Sequence, residues 1–249
     1  MFEITNNNVK ESLNNLTLSQ IVTTNFKAAA VFEKYNLDFC CRGNKLISEA
    51  CSEKGIDVHT VEEELNNLVS DNKETDSRFN EWSLDFLIEY IINNHHNYIR
   101  NIVPVLTAHT QKVASVHGEN HPETIEVAKI FSVVYKDLKQ HMMKEEEILF
   151  PYIKQLVKAS NNGTKAERPY FGSVTNPIKM MEAEHQAAGD ELFEIRRLTN
   201  NYTPPEDACN TYKIAYSELK EFEEDLHKHV HLENNILFPK AIKLEKEIV

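Results

Sequence analysis

The stretch HMMKEEEILFP at residues 141–151 returns later in the chain as HVHLENNILFP at residues 229–239. Both copies follow the pattern His-x-x-x-Glu-x-x-Ile-Leu-Phe-Pro. Residues four apart lie on the same face of an α-helix, so the histidine and the glutamate of each copy are expected side by side. One such pair is typical of a surface contact. Two copies with the same apolar tail, on two predicted helices, indicate a metal site to which both copies contribute.

Two more histidines fit the same duplication. His96 precedes His141 by 45 residues, and His185 precedes His229 by 44. This near-equal spacing predicts two similar helical hairpins, each of which brings one single histidine to the level of one motif. His95 is an alternative to His96, because apolar residues flank both. The spacing favours His96 without excluding its neighbour.

From Ser83 onward the apolar spacing predicts four long helices, at residues 83–116, 123–158, 177–200 and 206–246. Ser83 suits the N-cap of the first helix. Pro104 lies inside that helix and predicts a kink or a break there. Four helices of this length, joined by short connections, predict a four-helix bundle.

A separate helical pattern precedes the bundle, at residues 17–69. Residues 70–82 are polar and have no periodicity, which is typical of a linker. We therefore expect a small helical N-terminal domain at residues 1–75, followed by the bundle domain at residues 76–249.

Two adjacent cysteines, Cys40 and Cys41, stand in the segment YNLDFCCRGN of the N-terminal domain. They follow a predicted helix and precede a glycine, so we expect them in a turn with accessible thiols. Accessible, polarised thiols can be redox-active or can hold a metal ion transiently. The alternative is a pair of incidental cysteines without a role.

The composition of the 249-residue chain excludes several classes of function. A net charge of −12 argues against a nucleic-acid partner, which needs clustered Lys and Arg. The chain has no long apolar run, and its start lacks the layout of a signal peptide, so we expect a cytoplasmic protein without a membrane span. Four cysteines do not form a secreted disulfide framework in a chain of this size, so reduced thiols are expected.

The four bundle helices are expected to bring six polar side chains to one layer of the core: His96, His141, Glu145, His185, His229 and Glu233. Such a layer is costly unless a cation satisfies it. Nitrogen and oxygen donors without thiolate suit iron, manganese or zinc. Two carboxylates that can each bridge indicate two metal ions. Counting ligand bonds leaves about one open position on each ion, where O₂, NO or peroxide could bind.

Several polar residues near the motifs are expected to be solvated: Glu146, Glu147, His227 and His231. Glu184 stands beside His185, and a surface carboxylate is a more natural interpretation than an acid that supports the metal site. Asp137 lies one turn before His141 and is a candidate for orienting that histidine.

Taken together, the motifs resemble those of the iron–sulfur cluster repair di-iron proteins, which carry a hemerythrin-like bundle. The similar segments span nearly the whole chain: YNLDFCCRGN, both histidine motifs, EAEHQAAG, and YTPPEDAC before the fourth helix. The resemblance implies an all-α fold, with a hemerythrin-like four-helix bundle after a small helical domain. It also implies the metal ligands residue by residue: His96, His141, Glu145, His185, His229 and Glu233. It thereby selects His96 over His95 and makes both glutamates bridging ligands.

The same resemblance implies a cofactor of two non-haem iron ions, bridged by an oxo or hydroxo group. The implied function is the repair of iron–sulfur clusters damaged by nitrosative or oxidative stress. Iron would be donated to the damaged iron–sulfur proteins, with Cys40 and Cys41 assisting the transfer. This chain departs from the family in one place: Arg42 follows the paired cysteines, where the family usually has glycine.

The resemblance does not imply a conventional turnover enzyme, so no catalytic residue beyond the metal ligands is assigned. One alternative is a di-iron enzyme that reduces NO or peroxide, and NO reduction could also be a side activity. A second alternative is an O₂ carrier or sensor, but these usually have a fifth histidine at the position of Gly189. Whether the chain forms a homodimer is left open.

Overall fold

The computed structural model describes residues 13–69 and 79–249, which form helices and no β-strand. The chain divides into two compact units, Met1–Glu81 and Trp82–Val249. The boundary that we expected after residue 75 lies outside the described residues, as does the part of the expected linker at residues 70–78. The all-α prediction is confirmed.

Within residues 13–69, the N-terminal unit forms four short α-helices, α1 (Leu18–Thr24), α2 (Ala28–Lys34), α3 (Ile47–Lys54) and α4 (Val58–Val69). Thr17 begins α1 with a capping box, because its side chain accepts from the backbone N–H of Gln20 while the Gln20 side chain accepts from the backbone N–H of Thr17. Gly55 ends α3 in the left-handed conformation, at φ 67°, which glycine adopts without strain.

Buried apolar side chains hold the described part of this unit together. The rings of Phe32 and Phe39 are buried 6.2 Å apart. Phe79 is also buried and packs edge-on against Phe26, with ring centroids 6.1 Å apart. Phe79–Glu81, near the end of the segment that we expected to be a linker, forms a turn of 3₁₀-helix.

The second unit is built from four long helices, three of which contain a short π-helical segment. The first bundle helix is α5 (Leu84–Tyr90), π1 (Ile91–His96) and α6 (Asn97–His117). The second is α7 (Glu123–Lys144), π2 (Glu145–Leu149) and α8 (Phe150–Asn161). The third is α9 (Thr175–Leu198), and the fourth is α10 (Asn210–Leu232), π3 (Glu233–Leu237) and α11 (Phe238–Ile248). None of the helices in the described ranges is long and apolar enough to cross a membrane.

The π segments lie where the predicted ligands are. π1 ends at His96, while π2 begins at Glu145 and π3 begins at Glu233. A π turn contains about one more residue than an α turn, so it redirects the side chains that follow, and such turns are frequent at functional sites. The third helix presents His185 from a regular α-helix.

Of the kink or break that we expected at Pro104, the break does not occur, because α6 continues from Asn97 to His117. A proline leaves the carbonyl four residues earlier, here that of Arg100, without its helical partner. Pro104 and Arg100 both lie on the exposed side of the helix, where water can bond to a carbonyl instead.

Candidate metal centre

The six predicted ligands meet in one layer of the bundle core, and each is at most 2% exposed: His96, His141, Glu145, His185, His229 and Glu233. They form two sets whose ligand atoms all lie within 4.8 Å of one another. The first set, which we call half-site one, has the histidines His96 and His229; half-site two has His141 and His185. Both glutamates belong to both sets.

Each glutamate contacts one histidine of each half-site. Glu145 Oε2 lies 3.4 Å from both His96 Nε2 and His141 Nε2. Glu233 contacts His229 Nε2 at 3.2 Å through one oxygen and His185 Nε2 at 3.1 Å through the other. Both carboxylates therefore lie where a ligand bridging the two half-sites must lie.

The spacing of the histidine nitrogens fits one cation in each half-site. The two Nε2 atoms are 3.2 Å apart in half-site one and 2.9 Å apart in half-site two. Two nitrogens at right angles, each about 2.1 Å from one metal ion, are about 3 Å apart. Within the described residues, no hydrogen bond satisfies the four buried oxygens of Glu145 and Glu233. Buried polar atoms of this kind are costly unless a cation binds them.

The electrostatics of the layer also favour a cation. Burial opposes the charged form of Glu233, but its interactions with His229 and His185 outweigh this effect and hold the pKa of Glu233 well below its usual range. Burial opposes the protonation of His141, but Glu145 outweighs it and raises the pKa of His141 to about 10. Imidazoles and carboxylates so arranged exchange a proton for a metal ion when one binds.

The residue after each motif glutamate supports the single histidine of the same hairpin. His96 Nδ1 donates to Glu146 Oε1 at 2.6 Å, and His185 Nδ1 donates to Asn234 Oδ1 at 2.9 Å. An acceptor behind a ligating histidine fixes its orientation and raises its basicity. The expectation that Glu146 is merely solvated is therefore wrong.

The phenylalanine at the end of each motif packs on the same histidine. The Phe150 ring stacks on His96 at 5.8 Å, and the Phe238 ring stacks on His185 at 6.1 Å. Both phenylalanines are buried. The shared phenylalanine thus gives each half of the site an apolar contact with its single histidine, which explains why both copies carry it.

Glu184 is a support of the site and not a simple surface carboxylate. Its Oε2 accepts from His141 Nδ1 at 2.9 Å, and its other oxygen pairs with Lys144. The hydrogen bond from His141, with that from Lys144, lowers the pKa of Glu184 to about 2. The orienting role that we expected for Asp137 is filled by Glu184, and Asp137 is exposed.

Two histidines outside both ligand sets are buried. His95 stacks parallel on His229, at 5.5 Å and 8°, and donates from Nδ1 to Asp225 Oδ1 at 2.9 Å. His231 is 1% exposed and bonds Asn235 at 2.9 Å, and burial lowers its pKa to about 3. The expectation that His231 is solvated is wrong, because the fourth helix is enclosed on all sides from His229 to Glu233.

The paired cysteines lie in the N-terminal unit, beside Asp38. Asp38 Oδ1 accepts from the backbone N–H of Cys40 at 3.2 Å and of Cys41 at 2.8 Å, and the two Sγ atoms are 3.8 Å apart. Cys40 is buried, so the expectation of accessible thiols is wrong for Cys40, whereas Cys41 is half-buried. The hydrogen bond with Cys41 and burial raise the pKa of Cys40 well above its usual value. These three side chains form a third group that could hold a cation.

Known proteins share both parts of the chain. Residues 87–241 match the hemerythrin HHE cation binding domain, and residues 14–69 match ScdA_N, a domain of unknown function. The "probable iron-sulfur cluster repair protein" of Haemophilus influenzae is 37% identical, over 90% of this chain and 96% of its own length. The "iron-sulfur cluster repair protein YtfE" of Dickeya chrysanthemi is 38% identical, over 92% of this chain and 97% of its own. The protein of that name in Shigella boydii is 38% identical, over 87% and 91%.

Proposed function

Because the chain belongs to the hemerythrin HHE cation-binding family and to the iron–sulfur cluster repair proteins, we propose that it repairs damaged iron–sulfur clusters by donating iron from a di-iron centre. The observation that carries this proposal is the pair of half-sites that share both glutamates. Each half-site offers two imidazole nitrogens and two carboxylates, a donor set that suits iron.

The carboxylates in and behind the layer favour the binding of cations. Glu145 and Glu233 lie in the layer, and Glu146 and Glu184 stand directly behind its histidines. Glu145 and Glu233 offset two of the four positive charges of two ferrous ions, whereas Glu146 and Glu184 share their charge with Arg100 and Lys144. Buried charges are tolerated when they are paired in this way.

The donor set also suits a centre that gives iron away. Ferrous iron stands low in the affinity order of divalent metals, and the layer contains no thiolate to hold it. When bound, the iron pair supplies an exchangeable cation and open positions for small ligands such as NO, O₂ or peroxide. The chain's residues orient the ligands through Glu146, Glu184 and Asn234, and Phe150 and Phe238 exclude water from the layer.

We assign Cys40 and Cys41 a part in the transfer of iron to the damaged protein. Their support is the cation-competent group that they form with Asp38. Half-buried Cys41 is the thiol through which a client would be reached. Such a reaction needs reduced thiols and ferrous iron, so we place the protein in the cytoplasm.

The test uses a dehydratase whose [4Fe–4S] cluster has been damaged by NO or peroxide. The iron-loaded protein, added without oxygen, should restore its activity faster than the same concentration of free ferrous iron. Glu233→Leu removes a carboxylate shared by both half-sites and should abolish the gain. His109→Gln is the control, because His109 on α6 bonds Glu218 on α10 at 2.6 Å, away from the layer. No gain over free iron would refute iron donation, and turnover of NO to N₂O without repair would favour the enzyme alternative.

A further inference from the structure

The metal centre has an internal symmetry that the sequence duplication creates. Equivalent positions in its two halves are 88 or 89 residues apart. The pairs described above obey this offset: His96 and His185, His141 and His229, Glu145 and Glu233, Glu146 and Asn234, Phe150 and Phe238. The two members of each pair occupy equivalent places in the site. A position at which the two halves differ therefore indicates a difference between the half-sites.

The symmetry fails at the residue before each single histidine. Glu184 precedes His185 and accepts from His141 Nδ1 at 2.9 Å. The equivalent residue is His95, which precedes His96 and lies against His229, the equivalent of His141. His95 stacks on His229 as a parallel ring and donates its own Nδ1 proton to Asp225 at 2.9 Å. An imidazole thus stands where the other half has a carboxylate.

This exchange leaves one ligand without an acceptor. His229 Nδ1 is buried, and no atom of residues 13–69 or 79–249 forms a hydrogen bond with it. The Nδ1 atoms of the other three histidines each bond Glu146, Glu184 or Asn234. In half-site two, both histidines therefore have a hydrogen-bond acceptor at Nδ1. In half-site one, only His96 has such an acceptor.

We propose that the two half-sites are inequivalent, that half-site one gives up its cation first, and that His95 is the positioning residue that sets this order. The inference rests on the proposed di-iron centre. Loss of the acceptor behind a ligating histidine weakens metal binding by about 10–100-fold. The two iron ions should therefore leave at rates that differ by about the same factor. Iron for repair comes from half-site one, while half-site two stays filled and keeps the layer intact.

Iron release to a ferrous chelator, followed by absorbance without oxygen, tests the order. The wild-type protein should release one iron in a fast phase and one in a slow phase. Glu146→Gln weakens the support of His96 and should accelerate the fast phase. Glu184→Gln weakens the support of His141 and should accelerate the slow phase. The opposite assignment, or one common rate for both ions, would overturn the proposal.

The variant His95→Gln tests whether the missing acceptor at His229 Nδ1 causes the fast release from half-site one. The glutamine oxygen can accept from His229 Nδ1 while its NH₂ group donates to Asp225, so the fast phase should slow by about tenfold. His95→Phe keeps a ring against His229 without an acceptor, and its fast phase should stay at least about fivefold faster than that of His95→Gln. His109→Gln should release iron as the wild type does. Equal slowing in both His95 variants would show that packing, and not the missing acceptor, controls release.

The experiment distinguishes a failure of the proposed di-iron centre from a failure of the proposed inequivalence. A wild-type protein that binds fewer than two irons contradicts the proposed di-iron centre itself. A wild-type protein that binds two irons and releases them at one rate contradicts only the inequivalence. If His95→Gln fails to bind iron, the phase assignments from Glu146→Gln and Glu184→Gln still decide.

Discussion

In the metal-free protein His141 carries a proton at neutral pH. It is 2% exposed, and although burial opposes its charge, Glu145 and then Glu184 raise its pKa to about 10. A metal ion that binds Nε2 must therefore expel this proton. Glu145 and Glu233 have lowered pKa values, because their interactions with neighbouring histidines outweigh the effect of burial, so both are already ionised and release no proton.

The size and sign of the effect follow from the pKa of His141. Below a pKa of about 10, each displaced proton makes the apparent affinity rise about tenfold per pH unit. One proton gives about a 100-fold increase between about pH 6.5 and about pH 8.5. The raised pKa of His141 stabilises the metal-free fold fully below about pH 6.5, and this contribution is lost as the pH rises towards 10. The metal-free protein should thus lose stability over the range in which it gains affinity for iron.

Anaerobic titration calorimetry with ferrous iron measures both the affinity for iron and the number of protons released on binding. Runs in two buffers of different ionisation enthalpy give the number of protons released. We expect at least about one proton per chain and the affinity slope given above. Glu184→Gln removes one cause of the raised pKa of His141 and should flatten the slope near pH 8.5, while His109→Gln should not. If the affinity for iron did not change with pH across this range, and no proton were released, the reasoning would be refuted.

Three further predictions concern stability and thiol reactivity. Phe150→Ala removes a buried ring and should lower the free energy of unfolding of the metal-free protein by about 3–5 kcal/mol in urea denaturation; a loss below about 1 kcal/mol would contradict the packing described. Glu245→Ala should cost about 3 kcal/mol in the same assay, because the buried carboxylate accepts from a tyrosine hydroxyl at 3.0 Å and a backbone N–H at 2.8 Å; an unchanged midpoint would contradict this. Exposed Cys209 should be alkylated first by iodoacetamide, and buried Cys40 and Cys51 only on unfolding; mass spectrometry that finds Cys40 labelled first would contradict the burial.

The sequence predicts the bundle because the relevant signals are local and repeated. Apolar spacing gives the helices, and the duplicated motif gives the level at which the four helices meet. The all-α fold and the family are confirmed. The ligand roles of the six layer residues remain predictions, although the structure brings all six together.

The residues that hydrogen-bond to the ligand histidines could not be predicted from the sequence, for a geometric reason. An ideal α-helix places Glu146 about 100° from Glu145 and away from the layer. The π segment that begins at Glu145 changes this direction, and Glu146 meets His96 from another helix. Glu184 and His231 depend likewise on which neighbouring helix covers them, which periodicity within one helix does not report.

The most direct test of iron donation labels the metal. The protein is loaded with ⁵⁷Fe and mixed with a damaged dehydratase in the presence of excess unlabelled ferrous iron, and the dehydratase is then reisolated for Mössbauer spectroscopy. Iron donation predicts a strong ⁵⁷Fe signal within the restored [4Fe–4S] cluster. A restored cluster built from unlabelled iron alone would contradict it.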